Sequence, residues 1–270
     1  MKIKIVFFGS DQYGAKVLEF LQKDPNIEIV KVVKEKSEFE GLKNLEERPD
    51  LGVVVSFGAL IPQDVINWPK NGLLNLHPSL LPKYRGSTPV PTAILNGEKE
   101  IGLTIIKVDE QIDHGPIVAQ FKEAIKEEDT SESLLNRLFA MGSEVLVTII
   151  PSFLEDRIEI KKQDHTKATF TKKLIRDDGK IDWQKPVDYQ ERFIRAMFPW
   201  PGAFTNVKLR MDNKQACFSK TQNGELKRLK ILKAHLENGK LILDQIQLEG
   251  KNPVTWKQFL EGYPQAKLLS

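Results

Sequence analysis

The feature that most constrains the fold is a series of short apolar runs in the first 80 residues. Largely continuous runs occupy residues 2–8, 27–33, 51–55 and 73–76. Between them lie segments whose apolar residues recur at helical spacing. Parallel strands with helical crossovers are buried on both faces, so they need runs of this kind rather than strict alternation. The sequence therefore predicts an α/β domain whose sheet is mostly parallel.

The spacing changes after residue 100. Predicted strands at residues 102–108 and 116–121 are separated only by the loop DEQIDHG. This loop is too short for a helical crossover, so the two strands should extend the sheet in an antiparallel sense. A capping box at residues 129–132 then begins a long apolar helix that is predicted to end near Pro151. The α/β domain should close at about residue 160.

The second half is organised differently. Residues 161–199 are charged and carry a short amphipathic helix around residues 189–197, which is typical of a linker. From residue 200 onward, short alternating segments predict a small, barrel-like β module with a final helix, WKQFLEG. The alternating segments are AFTNVKL, ACFSK, LKILKAHLE and KLILDQIQL. The predicted domains are residues 1–160, the linker 161–199 and residues 200–270.

Composition excludes some classes of site. Cys217 is the only cysteine, and the four histidines lack zinc-binding spacing, so we expect no metal. Residues 201–270 hold 12 Lys and Arg against 6 Asp and Glu, whereas the whole chain has a net charge of +3. This excess indicates either a polyanionic partner or a solvated lysine-rich surface. No apolar run reaches about 18 residues, so we expect a cytoplasmic protein without a membrane span.

Polar residues gather at the end of the fourth predicted strand, in GLLNLHPSLLPKYRG. Alternation puts Asn75 and His77 on one face at the carboxyl end of a parallel strand, where open α/β sheets build their sites. An asparagine amide can donate to a developing oxyanion, and a histidine can accept a proton. Both are candidate catalytic residues. The alternative is that His77 has no catalytic role and only forms structural hydrogen bonds at the end of the strand.

The loop DEQIDHG is acidic. It holds Asp109, Glu110 and Asp113. A carboxylate from this loop could orient and polarise His77, as an acid does in many histidine-based sites. Residue types alone do not show which of these three carboxylates would contact His77.

Two motifs together resemble the folate-dependent formyltransferases, namely NLHPSLLPKYRGSTPV and GLTIIKVDEQIDHGPIVAQ. The resemblance implies a Rossmann-like domain that binds 10-formyltetrahydrofolate. By position, Asn75, His77 and Asp113 match the catalytic residues of that family. The family's loop around the pterin matches Ser79, Leu80, Leu81 and Pro82.

Later segments resemble the branch of this family that acts on methionyl-tRNA, namely TKKLIRDDGKIDW, RFIRAMFPWPGAFT and LEGKNPVTWKQFLEGYP. The resemblance covers nearly the whole chain. It implies formyl transfer to the α-amino group of charged initiator tRNA, for translation initiation, and a C-terminal OB-like barrel that holds the tRNA. Separately, we expect a monomer. The candidate tRNA-binding residues are basic: Arg195, Lys208, Arg210, Lys227, Arg228 and Lys230.

The chain departs from this family in two places. The long basic, glycine-rich loop that helps to read the tRNA acceptor end is missing after the second strand, where only KEKSEFEGLKNLEERPD intervenes. His114 stands where the family has a threonine-like residue. Two other interpretations therefore stay open. One is a sugar N-formyltransferase acting on a nucleotide-linked aminosugar, and the other is a non-catalytic RNA-binding protein on the same scaffold.

Overall fold

A computed structural model describes residues 2–42, 44–45, 47–209 and 225–269. It divides into two compact units. The first comprises the chain up to Ala93, Glu98–Glu127 and Ser133–Lys173, and the second comprises Ile94–Gly97, Glu128–Glu132 and the chain from Leu174 onward. Arg210 and the predicted strand ACFSK lie outside the described residues. The functional domain limits expected from the sequence stay a prediction.

A six-stranded sheet forms the first unit. Its strands are β1 (Ile3–Phe8), β2 (Ile27–Val33), β3 (Leu51–Val54), β4 (Leu73–His77), β5 (Glu100–Lys107) and β6 (Ile117–Ala124). The order across the sheet is β2-β1-β3-β4-β5-β6. The first four of these are parallel, and β5 and β6 are antiparallel additions. The predicted α/β class, with its mostly parallel sheet, is confirmed.

The strands are buried on both faces, as the continuous apolar runs require. Successive side chains of a strand point to opposite faces. In β1, nevertheless, Ile5, Val6, Phe7 and Phe8 are all fully buried. Layers of chain therefore cover both faces of the sheet at its centre.

The described part of the first 160 residues holds five α-helices: α1 (Gln12–Gln22), α2 (Phe39–Leu42), α3 (Gln63–Ile66), α4 (Pro89–Asn96) and α5 (Ser131–Leu154). The side chain of Asp11 caps α1 by accepting hydrogen bonds from the N–H groups of Tyr13 and Gly14. The sequence analysis did not predict α4.

The predicted end of α5 near Pro151 was wrong. The proline lies inside the helix, which continues to Leu154. A proline removes one main-chain hydrogen bond. Here that loss is offset because Ile150 and Phe153, on either side of it, are buried in the core. By length and composition alone α5 could cross a membrane. Its buried apolar positions at helical spacing, such as Leu134 and Leu138, identify it as a core helix.

In its described residues from Leu174 onward, the second unit holds an antiparallel sheet and two α-helices. Its elements are α6 (Val187–Ala196), β7 (Phe204–Leu209), β8 (Glu225–Glu237), β9 (Lys240–Leu248), β10 (Val254–Thr255), α7 (Trp256–Gly262) and β11 (Lys267–Leu269). The strand order is β10-β9-β8-β7-β11. The predicted small all-β module and its last helix are therefore confirmed.

Candidate active site

Strand β4 carries Asn75 and His77 two positions apart, so their side chains lie on the same side of the sheet. His77 is only 4% exposed, and Asn75 is half-buried. Strand β5 runs antiparallel beside β4, with Thr104 opposite His77. Both candidate side chains are thus mounted on a strand that has neighbours on both sides, which makes their positions rigid.

A main-chain carbonyl holds the imidazole of His77 in one tautomer. Its Nε2 lies 2.9 Å from the carbonyl oxygen of Tyr84. A carbonyl can only accept, so Nε2 carries a hydrogen and donates it. Nδ1 is therefore the nitrogen that takes up a proton when the ring becomes charged. The sequence analysis gave the orienting role to a carboxylate, whereas in the structure Tyr84 sets the tautomer.

Asp113 brings one carboxylate to both residues of β4. Its Oδ1 lies 3.4 Å from Nδ1 of His77 and 3.4 Å from Nδ2 of Asn75. Its Oδ2 accepts a hydrogen bond of 2.8 Å from the N–H of Gly86. Among the three carboxylates of the acidic loop, Asp113 is the one that faces His77.

The turn that follows the SLLP loop positions both partners of His77. Tyr84 and Gly86 have positive φ angles of 61° and 104°. The N–H of Arg85 donates to the Thr169 carbonyl at 2.8 Å, and the N–H of Thr171 donates to the Arg85 carbonyl at 2.7 Å. A β-carbon at Gly86 would lie 2.8 Å from the Thr171 carbonyl oxygen, so only glycine fits. The sequence analysis missed this turn, although the glycine in KYRG was an available signal.

One buried hydroxyl fixes the loop Ser79–Pro82. Thr104 Oγ1 donates to the Ser79 carbonyl at 2.6 Å and accepts from the Leu81 N–H at 3.2 Å. Gln120 Nε2 donates to Thr104 Oγ1 at 2.8 Å and to the Leu81 carbonyl at 3.0 Å. The hydroxyl donates once and accepts twice, which is its full capacity. The loop is therefore held by its main chain, independently of any ligand.

The four residues of this loop differ in what they expose. Ser79 and Leu81 are buried, whereas Leu80 and Pro82 are half-buried. Leu80 packs on Gly102, where a β-carbon would lie 2.4 Å from Leu80 Cδ2. Ser79 and Leu81 thus shape the loop, and Leu80 and Pro82 keep apolar surface that a ligand can contact.

The amide of Asn75 forms fewer and longer hydrogen bonds than the other polar groups of the site. Among the described residues its amide makes one hydrogen bond, the 3.4 Å contact with Asp113. That distance is beyond the usual range for N–H···O hydrogen bonds. A half-buried amide with a spare N–H suits a substrate oxygen that gains negative charge. Nothing in the described part of the chain groups three His, Cys, Asp or Glu side chains as a metal would need.

His114 belongs to a second cluster beside Asp113. Its Nδ1 donates to Asp109 Oδ2 at 2.6 Å, and its ring stacks on His165 with the centroids 3.9 Å apart. Arg85 donates to Nδ1 of His165 at 2.8 Å. Desolvation, then the charges of His114 and Arg85, lower the pKa of His165 from its usual value. His165 is therefore a neutral acceptor for the guanidinium of Arg85.

Four of the predicted tRNA-binding residues lie on described strands of the C-terminal sheet, and they separate into its two faces. Lys208 of β7 lies opposite position 226 of β8, and positions 226, 228 and 230 point the same way. Lys208, Arg228 and Lys230 therefore share one face. Lys227 falls on the other face, opposite the buried Val207.

Arg195 is engaged within its own unit. Its guanidinium donates to both carboxylate oxygens of Glu191, at 2.5 and 2.9 Å, and to the Asp129 carbonyl at 2.8 Å. These bonds use three of the five N–H groups of the guanidinium. The side chain is 14% exposed. Arg195 therefore ties α6 to the segment before α5 and offers little to a phosphate.

Comparison with known proteins decides the family. The protein-family model described as "Formyl transferase" matches residues 43–150, and the family model "Formyl transferase, C-terminal domain" matches residues 173–264. A methionyl-tRNA formyltransferase of Roseiflexus castenholzii is 33% identical over 305 aligned positions, which cover 97% of this chain and 96% of the relative. The chain belongs to the methionyl-tRNA formyltransferase family.

Solved structures support the same fold for this family member. The methionyl-tRNA formyltransferase from Clostridium thermocellum is 22% identical with a TM-score of 0.67, covering 91% of this chain and 98% of that one. HypX from Aquifex aeolicus, in complex with tetrahydrofolic acid, is 18% identical with a TM-score of 0.72, covering 98% of this chain and 48% of that one.

This member of the methionyl-tRNA formyltransferase family is short. Its alignment with the Roseiflexus castenholzii relative, at 305 positions, is longer than the 270 residues of this chain, so the relative has segments without a counterpart here. The connection from β2 to β3 takes only residues 34–50. The long loop that the sequence analysis found missing has no room in this connection.

The Thr104 network makes a testable contribution to stability. Thr104→Val keeps the shape but leaves the Ser79 carbonyl and the Leu81 N–H without their partner. We expect the free energy of unfolding to fall by about 1–3 kcal/mol. The exposed Thr148 also donates from its hydroxyl, to the Glu144 carbonyl at 2.8 Å within α5, so Thr148→Val is a matched control that should change stability by less than about 0.5 kcal/mol. Urea unfolding midpoints measure both; equal shifts would show that the Thr104 network adds nothing.

Proposed function

We propose that this protein transfers the formyl group of 10-formyltetrahydrofolate to the α-amino group of methionyl initiator tRNA. Membership of the methionyl-tRNA formyltransferase family supports the reaction class. The observation that carries the proposal is the arrangement of Asn75, an amide with spare donor capacity, beside a His77 whose tautomer and carboxylate partner are both fixed.

Asn75 is the proposed donor to the formyl oxygen. When the amine attacks the formyl carbon, the oxygen gains negative charge. A donor that is already in place stabilises this charge without reorganisation at the moment of reaction. Asn75 meets this requirement because β4 fixes its main chain, while its amide has only one long hydrogen bond to give up.

His77 and Asp113 are the proposed proton-handling pair. The reaction forms a bond between the amine nitrogen and the formyl carbon and breaks the bond between that carbon and N10 of the folate. The amine loses a proton, and N10 gains one. With Nε2 of His77 donating to Tyr84, only Nδ1 can take up the proton. The carboxylate of Asp113, 3.4 Å from Nδ1, then stabilises the imidazolium.

The SLLP loop is the proposed contact for the pterin of the folate. Leu80 and Pro82 are half-buried and apolar, so they can cover one face of a flat ring. Ser79 and Leu81 support the loop from beneath through Thr104. The loop thus fits a folate co-substrate by its shape and its fixed main chain.

The tRNA is the proposed partner of the basic face of the second unit, formed by Lys208, Arg228 and Lys230. Side chains on one face of a sheet can contact successive phosphates, and such contacts release counterions. We propose a monomer that acts in the cytoplasm.

One assay tests the function directly. The purified protein is incubated with 10-formyltetrahydrofolate and either methionyl initiator tRNA or a nucleotide-linked aminosugar. We expect formylation of the tRNA only. Methionyl-tRNA whose amine is already acylated serves as the control, and it should accept nothing. Formylation of the sugar alone would replace the proposal with a sugar N-formyltransferase, and no transfer to either acceptor would favour a non-catalytic RNA-binding protein.

The role of Asn75 predicts a specific kinetic change. Asn75→Ala removes the donor to the formyl oxygen, so we expect kcat to fall about 10²- to 10³-fold with little change in KM for the folate. Asn71 is a matched control because it also donates from its amide, to the Asp50 carbonyl, but just before the amino end of β4. Asn71→Ala should leave kcat near that of the unmodified protein. Near-normal turnover in Asn75→Ala would overturn the assignment.

The role of Asp113 predicts loss of activity without unfolding. Asp113→Asn keeps an oxygen for the Gly86 N–H, but it removes the negative charge beside His77 Nδ1. We expect kcat to fall by about 10²- to 10⁴-fold, the usual contribution of positioned acid–base groups. Asp109→Asn, in the same loop, removes a carboxylate that faces His114 instead. It should retain most activity. An unchanged rate and pH profile in Asp113→Asn would make Asp113 structural.

The basic face predicts salt-dependent tRNA binding. The affinity should fall log-linearly with salt, with a slope of about 0.7–0.9 per neutralised phosphate. Reversing two charges, in Lys208→Glu with Lys230→Glu, should lower that slope by about 1.5 and raise KM for tRNA, but not for folate. Lys240 lies at the far end of the β8–β9 hairpin, about 23 Å from Lys230 at 3.3 Å per residue. Lys240→Glu is therefore the control; an equal effect there would indicate a general charge effect instead of this face.

A further inference from the structure

Gln163 is a buried amide whose polar atoms all contact the surroundings of Asp113. It is 6% exposed. Its Nε2 donates to two carbonyl oxygens, that of Asp113 at 2.9 Å and that of Gly115 at 2.7 Å. Its Oε1 accepts a hydrogen bond of 2.7 Å from the guanidinium of Arg85. Every donor and the acceptor of this side chain are therefore engaged with the Asp113 loop or with the turn that faces it.

The main chain of Asp113 needs such support. Its φ angle is 49°, in the left-handed region. Aspartate adopts that region more readily than most residues, but it still costs energy relative to the right-handed or extended regions, so contacts with the surroundings stabilise it. Gln163 binds the loop on both sides of His114, through the carbonyls of Asp113 and Gly115. The two hydrogen bonds restrict the direction in which the Asp113 side chain leaves the main chain.

Gln163 also reaches the other partner of the Asp113 carboxylate. Arg85, which donates to Gln163, immediately precedes Gly86, whose N–H donates to Asp113 Oδ2. Arg85 is 4% exposed and donates in addition to His165. The side-chain amide of Gln163 thus links the main chain of Asp113 to the turn whose Gly86 N–H binds the Asp113 carboxylate.

We propose that Gln163 is a positioning residue for formyl transfer, acting through Asp113 on His77. The inference rests on the proposed function for its kinetic consequence. Gln163 touches no reacting atom. It holds the Asp113 carboxylate within reach of His77 Nδ1 and Asn75 Nδ2. Without it, Asp113 leaves its strained conformation, the carboxylate moves, and the imidazolium loses its counter-charge.

The chain offers a matched control in Gln190. It is 5% exposed, and its Nε2 also donates to two main-chain carbonyls, those of Trp183 at 3.1 Å and Lys185 at 2.8 Å. Gln190 is in α6 of the second unit, and both carbonyls that it binds belong to that same unit. The same substitution at the two positions removes the same number of donated hydrogen bonds from equally buried amides. A merely structural role would therefore give similar results at both.

The experiment compares Gln163→Glu and Gln163→Met with Gln190→Glu and Gln190→Met. The glutamates keep the shape and present an oxygen to the two carbonyls. The methionines remove all polarity at similar length, and they keep the comparison valid if a charged variant does not fold. Thermal unfolding gives the folded fraction. For the folded protein we expect kcat to fall about 10- to 100-fold at position 163 only, since misplacement by about 1 Å costs about 10²-fold. KM for folate should change little.

A readout without turnover separates this inference from the proposed function. The amide proton of Gly86 should resonate downfield because it donates to a carboxylate at 2.8 Å. We expect Gln163→Met to move this NMR signal upfield and Gln190→Met to leave it unchanged. An unmoved signal, or a kcat at position 163 equal to that at position 190, would overturn the inference. If the unmodified protein transfers no formyl group, the proposed function fails. The Gly86 signal alone then tests whether Gln163 positions the Asp113 carboxylate.

Discussion

The hydrogen bond from His77 Nε2 to the Tyr84 carbonyl is the interaction on which the rest of the site depends. Because a carbonyl cannot donate, this one contact decides which nitrogen is free, and it turns Nδ1 towards Asp113. The contact in turn requires the left-handed conformation of Tyr84, with a φ of 61°. Thr169 supports that conformation, since its Oγ1 accepts a hydrogen bond of 2.8 Å from the Tyr84 N–H. A segment 85 residues away along the chain thereby fixes a tautomer in the site.

The site combines fixed groups with one that is free to bind. Thr104 and Gln120 satisfy the buried side of the SLLP loop, and Gly86 satisfies one oxygen of Asp113. Asn75, in contrast, has one long hydrogen bond. Fixed surroundings are useful for catalysis because a positioned donor stabilises developing charge without first moving.

Much of the fold followed from residue types, but the site followed only in part. Apolar runs on consecutive positions predicted the parallel strands, and alternation predicted that Asn75 and His77 share a side. Residue types left three carboxylates open in the acidic loop, and the family resemblance singled out Asp113. The structure adds the contacts of this carboxylate, with Oδ1 near His77 Nδ1 and Oδ2 accepting from the Gly86 N–H. Tyr84 acts through a main-chain carbonyl, which every residue possesses. No residue type could therefore reveal its role.

The basic C-terminal segment shows why net charge alone is a weak guide to a binding surface. Strand parity assigns each lysine to a face, and a shift of one residue would reverse every assignment. It separates Lys227 from Lys208 and Lys230, although all three contribute equally to the net charge. Arg228 is further constrained, because its guanidinium lies 3.8 Å from the ring centroid of Phe204 and 3.6 Å from Asp177. The charge that this face offers to a phosphate is therefore smaller than its three basic residues suggest, because Arg228 already has an acidic partner.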